Sequence, residues 1–520
     1  MKNPIYKLIG CIAFVALWAS AAGATDSLKI TDLVSQEYRT TLHEIKTMHQ
    51  VGRISMYGMS GRIEMWYATP DRMTVSLDLG MLKMMQGYDG RRAWMKDQNN
   101  QVMELTGNER KKVINSVYLT GESYLLDDRM PGTVSYLKDT IISEQDYSGF
   151  AALPQDGDTV RIFLNRTSGR VDIAEDNIDE VAIITYSSDY RMVDGYPVAF
   201  KSRTESALPQ MNSLTEMDTV QINVPIDPSI FGIAEDTSID FYFPPADSVI
   251  VPMKYSNGHI FITAKVAGKD SVYFILDSGA GINILDKNFA ASHGIRFSGE
   301  IAAKGVAGYQ SAAIADVDSI RLGEIVLLRQ KAAVTDVASI GIRAPGTLGG
   351  VMGYDLLSRF PFLVDYLNQK IVFYNPGKFH PPDSSSAVPF DFIMKIPAVN
   401  AEIDGHSGKF LIDLGNAFGL ILHKSLVDKY NLEQGFTDIR DMKGSIGGVG
   451  GVSSAMAAVG QDFVVGPVKI EKPALLVAEG DSGILRSTEI DGNIGNLMLQ
   501  QFMVLFNYHD KVVNFLPARK

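Results

Sequence analysis

The pattern of apolar and polar positions changes character halfway along the chain. Over residues 25–245 it predicts one helix around Leu33–Met48, then a succession of short strands separated by polar turns. Thr219–Ile226 alternates strictly, which would place Val220, Ile222, Val224 and Ile226 on one face of a strand. Past residue 250 the strands read as continuous apolar runs. The most informative is Tyr273-Phe-Ile-Leu-Asp277-Ser-Gly-Ala280, in which a buried strand ends on an aspartate, a small hydroxyl residue and a glycine. An aspartate is seldom buried without a partner, so a carboxylate carried straight off a core strand implies a fixed group to meet it.

That phrase returns at Lys409-Phe-Leu-Ile-Asp413-Leu-Gly-Asn416. Ile284-Leu285-Asp286-Lys287 is followed later by Ile421-Leu422-His423-Lys424. Gly353–Phe360, Leu363–Tyr366 and Ile371–Phe373 have counterparts in Gly495–Phe502, Leu505–Tyr508 and Val513–Phe515. The aspartates lie 136 positions apart (413 − 277) and the glycines 142 (495 − 353). Landmarks kept in order at a nearly constant offset indicate a duplicated domain, and two copies make a pair of lobes. Two aspartates on equivalent strands are what hydrolysis of a peptide bond by a proton-sharing carboxylate pair requires.

Residues 250–520 resemble the retropepsin-like aspartic proteases, whose lobes each carry a hydrophobic-hydrophobic-Asp-Ser/Thr-Gly loop, a flap hairpin and an apolar-apolar-Gly strand behind the loop. Asp277-Ser278-Gly279-Ala280 fits the loop, Val351-Met352-Gly353 the strand, and Gly305-Val-Ala-Gly308-Tyr309 the flap. The second copy fits at Asp413, Gly415 and Asn493-Ile494-Gly495, with a glycine-rich flap at Gly447–Gly451 that includes Gly448 and Gly450. The resemblance implies that Asp277 and Asp413 are catalytic. Their nearest oxygens would be roughly 3 Å apart, sharing one proton and activating a water without metal, cofactor or covalent intermediate. Gly308, Tyr309, Gly448 and Gly450 would close over a peptide.

Leu414 departs from that pattern, since the family has Ser or Thr there to bond across to the opposite loop. The missing hydrogen bond is worth only about 0.5–1.5 kcal/mol, but displacement of the carboxylates by about 1 Å can cost on the order of a hundredfold in rate. Ser278 would supply the cross-loop hydroxyl alone. Asn416 is a second departure. Leu414 therefore separates two functional readings: an aspartic endopeptidase, or a catalytically degenerate relative that binds a peptide, a lipid or a lipoprotein.

In the first half, Glu64-Met-Trp66-Tyr-Ala-Thr-Pro70-Asp-Arg72, Gly87-Tyr-Asp-Gly90, Trp94, Asp194-Gly-Tyr-Pro197 and Pro225–Phe231 follow in an order that resembles the outer-membrane lipoprotein-sorting (LolA-like) domains. That implies a curved antiparallel half-barrel closed by helices, with an apolar concave face and a lipid or lipoprotein as partner. Met56, Met59, Met65, Met73, Met81, Met84, Met85 and Met95 crowd one stretch, either lining such a groove or packing under a curved sheet. Phe243-Pro-Pro-Ala-Asp247 and His380-Pro-Pro-Asp-Ser-Ser-Ser386 read as linkers. The expected fold is mainly β: a LolA-like domain over 25–245, then pseudo-twofold-related acid-protease barrels over 250–378 and 388–520.

Composition narrows the setting. With 46% hydrophobic and 21% charged residues the chain is ordinary for a globular protein, and a net charge of −12 with no basic stripe excludes nucleic acid as a partner. Lys2, Lys7, the apolar Leu8–Ala19 and Ala22-Gly23-Ala24 form a signal peptide over residues 1–24. No later run is long enough to span a membrane. Cleavage there removes Cys11, the only cysteine, and the mature protein is expected in the periplasm of a Gram-negative bacterium or outside the cell. Gly480-Asp481-Ser482-Gly483 lacks the His and Asp of a serine protease and reads as a polar loop. Gly447–Gly451 lacks the Lys-Ser/Thr of a phosphate loop, and the 8 histidines contain no zinc-hydrolase pair.

Overall fold

The computed structural model describes residues 28–178, 181–233, 239–382, 386–480 and 482–518. The expected signal peptide, the middle of the second linker and Asp481 lie outside the described residues. The chain is mainly β, in two assemblies of strands. The first is a 13-stranded antiparallel sheet. Its hairpins run outward from Thr47–Met56 to Val102–Leu105 on one side and from Ser213–Ile222 back to Gly132–Ile142 on the other. Thr47–Met56 pairs with Ser213–Ile222 to join the two halves.

Helix Gly107–Thr120 buries Val113, Ile114, Val117 and Tyr118 in the core of this sheet, against Tyr67, Met73, Phe150, Ile162 and Leu164. The Pro225–Phe231 segment is tied to the sheet by Trp94 Nε1, which donates to Phe231 O at 2.7 Å, and by the Thr74 hydroxyl, which donates to Ile230 O at 2.9 Å. Six of the eight methionines of residues 56–95 divide between two clusters. Met73 is in the main core with Met65 and Met95 packed on it, while Met56, Met59 and Met84 join a second cluster around Ile54, Leu79 and Leu82.

Two local expectations are corrected. The helix expected over Leu33–Met48 is two helices, Ile30–Leu33 and Gln36–Glu44. Ser35 caps the second by accepting from Tyr38 N at 3.1 Å, and Thr47 and Met48 are drawn into the sheet opposite Ala68 and Tyr67. The strand expected over Thr219–Ile226 ends at Ile222. Asn223 is left-handed (φ 54°), and Pro225 has no N–H for a ladder. Val220 and Ile222 are buried as expected, whereas Val224 and Ile226 are only half-buried beyond the sheet.

The second assembly begins at Phe241–Tyr242, which pairs with Ile325–Thr335. Its two halves repeat one plan. Ser271–Leu276 runs parallel to Leu348–Met352, and Ile284–Asp286 lies antiparallel to Leu348–Met352 and parallel to Ile325–Thr335. In the second half His406–Ile412 runs parallel to Gly492–Ile494, and Leu420–His423 pairs with Gly492–Ile494 and Ala474–Ala478 in the same senses. Parallel central strands are covered on both faces, which is why Phe274, Leu276, Phe410 and Ile412 have no exposed surface.

A six-strand seam joins the halves: Ser248–Ser256, Lys370–Tyr374, Phe362–Asp365, Phe502–Asn507, Val512–Pro517 and Ala387–Ile393, each pairing with the next. At its centre Phe362 stacks on Phe506, ring centroids 4.8 Å apart. Burying each ring is worth about 1.5–3 kcal/mol, so parting the lobes would expose a large apolar surface and the loops facing each other above the seam are held in fixed register. Among the described residues no helix is long and apolar enough to cross a membrane.

Candidate active site

Each aspartate follows its parallel strand and is held by the strand behind it. Asp277 N donates to Met352 O at 2.9 Å and Asp413 N to Ile494 O at 3.0 Å. The loops then cross. Ser278, 1% exposed, donates its hydroxyl to Ile412 O at 2.8 Å and accepts from Leu414 N at 2.9 Å. Leu414 is wholly buried in the apolar core shared by both lobes, and it takes part in the grip through its backbone alone. Asn496 reinforces it, donating to Leu414 O at 2.7 Å and to Gly258 O at 2.8 Å.

The glycines explain how close the carboxylates come. A methyl group built on Gly279 would lie 2.5 Å from Asp413 Oδ1, and one built on Gly415 would lie 2.5 Å from Asp277 Oδ1 and Oδ2. Each glycine thus leaves room for the opposite carboxylate. Ala280 continues the first loop and accepts from Tyr354 N at 2.8 Å.

The two carboxylates are not solvated alike. Asp277 Oδ1 accepts from Gly279 N at 2.7 Å. Asp413 Oδ1 accepts from Gly415 N at 2.8 Å and Asn416 N at 3.2 Å, and its Oδ2 accepts from Asn493 Nδ2 at 2.7 Å. Asn416 Nδ2 in turn donates to Asn493 Oδ1 at 2.8 Å. Burial, together with the Asp413 carboxyl that shares a hydrogen bond with it, pushes Asp277 well above the usual aspartate range. Asp277 is thus the carboxyl of the pair that is pushed toward its protonated form. His259, the first residue of the strand His259–Val266, is held below its usual pKa by burial, against the opposing pull of Asp413.

The segments expected as flaps are the hairpins Phe297–Gly305 with Gly308–Leu322 and Thr437–Gly448 with Gly451–Val459. Gly308 and Tyr309 open the second strand of one hairpin, Gly448 closes the first strand of the other, and Gly450 sits in its turn with φ +88°. A methyl group on Gly450 would lie 2.5 Å from Gly308 O, so the two tips touch. The first tip is also held by the loop that mimics a serine-protease motif. Ser482 donates its hydroxyl to Ala307 O at 2.8 Å, and Val306 packs against the cluster of Ile421, Ile446, Ala455, Leu476, Ala478 and Leu485. Ser482 therefore ties down the tip of the first hairpin, a contact nothing in its local sequence announces.

Of the residues that sequence reasoning named, the two aspartate loops meet each other and the tips of the two hairpins meet each other. Sequence reasoning counted Asn493 only as part of an apolar-apolar-Gly strand and Asn416 only as an oddity, although both surround Asp413. It passed over Asn496 and His259. The polar Asn493 and Asn496 inside a buried apolar stretch were the available signal. Among the described residues no group of three or more His, Cys, Asp or Glu side chains gathers as metal ligands would.

An aspartic proteinase from Irpex lacteus is similar over 52% of this chain and 97% of its own, at 12% identity and a TM-score of 0.36. Basic 7S globulin from soybean is similar over 53% of this chain and 97% of its own, at 11% identity and 0.33. A LolA superfamily protein from Nitrosomonas europaea is similar over 40% of this chain and 99% of its own, at 13% identity and 0.30. Among curated proteins no sequence matches. Residues 262–356, which carry the first aspartate loop, its flap and the strand behind it, match the family described as Aspartyl protease.

Proposed function

We propose that this protein is an exported aspartic endopeptidase with Asp277 and Asp413 as its catalytic pair. The observation that carries the reading is the reciprocal packing of Gly279 against Asp413 and Gly415 against Asp277, which brings the two carboxyls within hydrogen-bonding reach of each other. Such a pair can hold one proton and one charge. Asp413 takes a proton from a water as its oxygen attacks the peptide carbonyl carbon, and Asp277 gives its proton to the carbonyl oxygen. The tetrahedral diol then collapses: the nitrogen is protonated by Asp413, the C–N bond breaks, and a hydroxyl proton returns to Asp277.

Turnover of a mixed peptide library at pH 4–7 tests this, with Asp277→Asn and Asp413→Asn as separate blanks. Cleavage by wild type that both variants lose is the expected result. Cleavage retained by either variant removes these carboxyls from the mechanism. A wild type indistinguishable from both blanks moves the assignment to a peptide-binding relative.

A further inference from the structure

The half-barrel does more than sit beside the protease-like part. Its strands Ala93–Lys96 and Val102–Leu105 are joined by the turn Asp97-Gln-Asn-Asn-Gln101, which enters the junction between the lobes. Asp97 is 2% exposed and Asn99 5%. Asp97 Oδ1 accepts from Asn99 N at 2.8 Å and Gln101 N at 2.9 Å, shaping the turn from within. Asn99 Oδ1 accepts from Lys331 N at 2.6 Å, and its Nδ2 donates to Lys331 O at 3.0 Å and Asp355 Oδ1 at 2.9 Å. The chain of bonds continues toward the first aspartate. Asp355 Oδ2 accepts from Asn283 N at 2.6 Å, and Asn283 Oδ1 accepts from Gly353 N at 2.8 Å. Gly353 packs directly on Ala280 at the end of the Asp277 loop.

The other side of the same turn reaches the second lobe. Asp97 Oδ2 pairs with Lys395 Nζ at 2.5 Å, their side chains 1% and 11% exposed. Lys395 lies in the turn between Ala387–Ile393 and Ile396–Ile403, where Met394 O meets Gly281 just past the Asp277 loop. The duplication supplies an internal comparison. By the offset of 142 the counterpart of Asp355 is Leu497 (355 + 142), and Leu497 is 49% exposed. The buried carboxylate is found in the lobe that the Asp97–Gln101 turn covers, and the other copy has a leucine facing solvent.

We infer that Asp97 and Asn99 are positioning residues for the Asp277 loop, so that the N-terminal domain forms part of the catalytic unit; this rests on the reading of the site as a peptidase. Asp355 is fully buried, and a buried carboxylate stripped of a donor is costly and reorients to recover one. Its Oδ2 bond to Asn283, and with it the support of the loop, is what Asn99 protects. Gln101 makes a second contact across the same junction, to Ser358 Oγ at 2.7 Å, that does not lead to the loop. That contact provides the control.

The test compares full-length wild type, Asn99→Ala and Ser358→Ala by hydrogen–deuterium exchange and by peptide turnover. Asn99→Ala is expected to speed exchange over residues 278–284 and 352–356 while leaving 413–419 unchanged. Its kcat should fall on the order of tenfold or more, with KM within about twofold of wild type. Ser358→Ala should match wild type in both measurements. Asn99→Ser, able to keep one of the three bonds, should give an intermediate effect and serves if the alanine variant does not fold. Wild-type exchange over 278–284 in Asn99→Ala, or an equal loss from Ser358→Ala, overturns the inference. Exchange reads the loop without turnover, so a wild type that cleaves nothing defeats the peptidase reading while exchange still decides this one.

Discussion

Asn493 donates its side-chain N–H to Asp413 Oδ2 at 2.7 Å, whereas its counterpart in the first lobe, Val351 (493 − 142), has no such group to offer Asp277. One polar residue in place of an apolar one, between strands that correspond in the two lobes, thus breaks the symmetry of a pair that the backbone makes nearly symmetric. Donors aimed at a carboxylate favour its charged form. Asn493→Val should therefore shift the acid limb of the kcat/KM profile to higher pH, because the pair then needs a higher pH to carry its charge. A pH–rate profile of the variant that overlays wild type would refute this.

The proton held by Asp277 has a consequence for stability. Its pKa is raised in the folded protein, so between the ordinary aspartate value of about 4 and the folded value the native state binds more protons than the unfolded chain. Stability accordingly falls as pH rises through that window. Asparagine cannot ionise. Asp277→Asn is expected to melt above wild type at pH 7, the gap closing as pH is lowered toward about 4. Calorimetry at both pH values checks it, and a gap that widens toward acid would contradict the assignment.

Leu414→Thr should separate stability from turnover. Leu414 is completely buried, so the smaller, polar side chain is expected to cost on the order of 2 kcal/mol of stability. The hydroxyl would nonetheless give the second loop a partner for the first, matching Ser278, and kcat at a temperature where both proteins are folded should equal or exceed wild type. A fall in kcat as large as the fall in stability would mean that Leu414 packing, not a cross-loop hydroxyl, holds the aspartates.

Val306 packs the tip of the first hairpin against the apolar cluster of the second lobe, and under the proposed function that contact would have to loosen for a peptide to enter. Val306→Ala removes about 1–1.5 kcal/mol of that hold, so kcat/KM should rise by up to roughly tenfold where flap opening limits the rate. Rapid-mixing measurement of peptide association would show the gain in the on-rate.

The sequence by itself laid out the repeated aspartate phrases, the glycine-rich hairpins and the strand-rich first half, because each is written in local order: apolar runs ending in Asp-x-Gly, glycine-rich turns, alternation broken by polar turns. It also located Leu414 as the departure. Where local preference met tertiary pairing it misled, as at Thr47 and Met48, which the sheet claims from a helix, and at Val224, cut off by Asn223 and Pro225.

Only the tertiary structure decided which carboxyl is better solvated and which residues support the loops, because those relations join positions far apart in the chain. Asn493 reaches Asp413 across 80 residues, and Asn99 reaches Asp355 across 256. Hydrogen bonds of that span leave no periodicity in the sequence. They exist because the seam at Phe362 and Phe506 and the buried turn at Asp97 fix three separately patterned segments in one register.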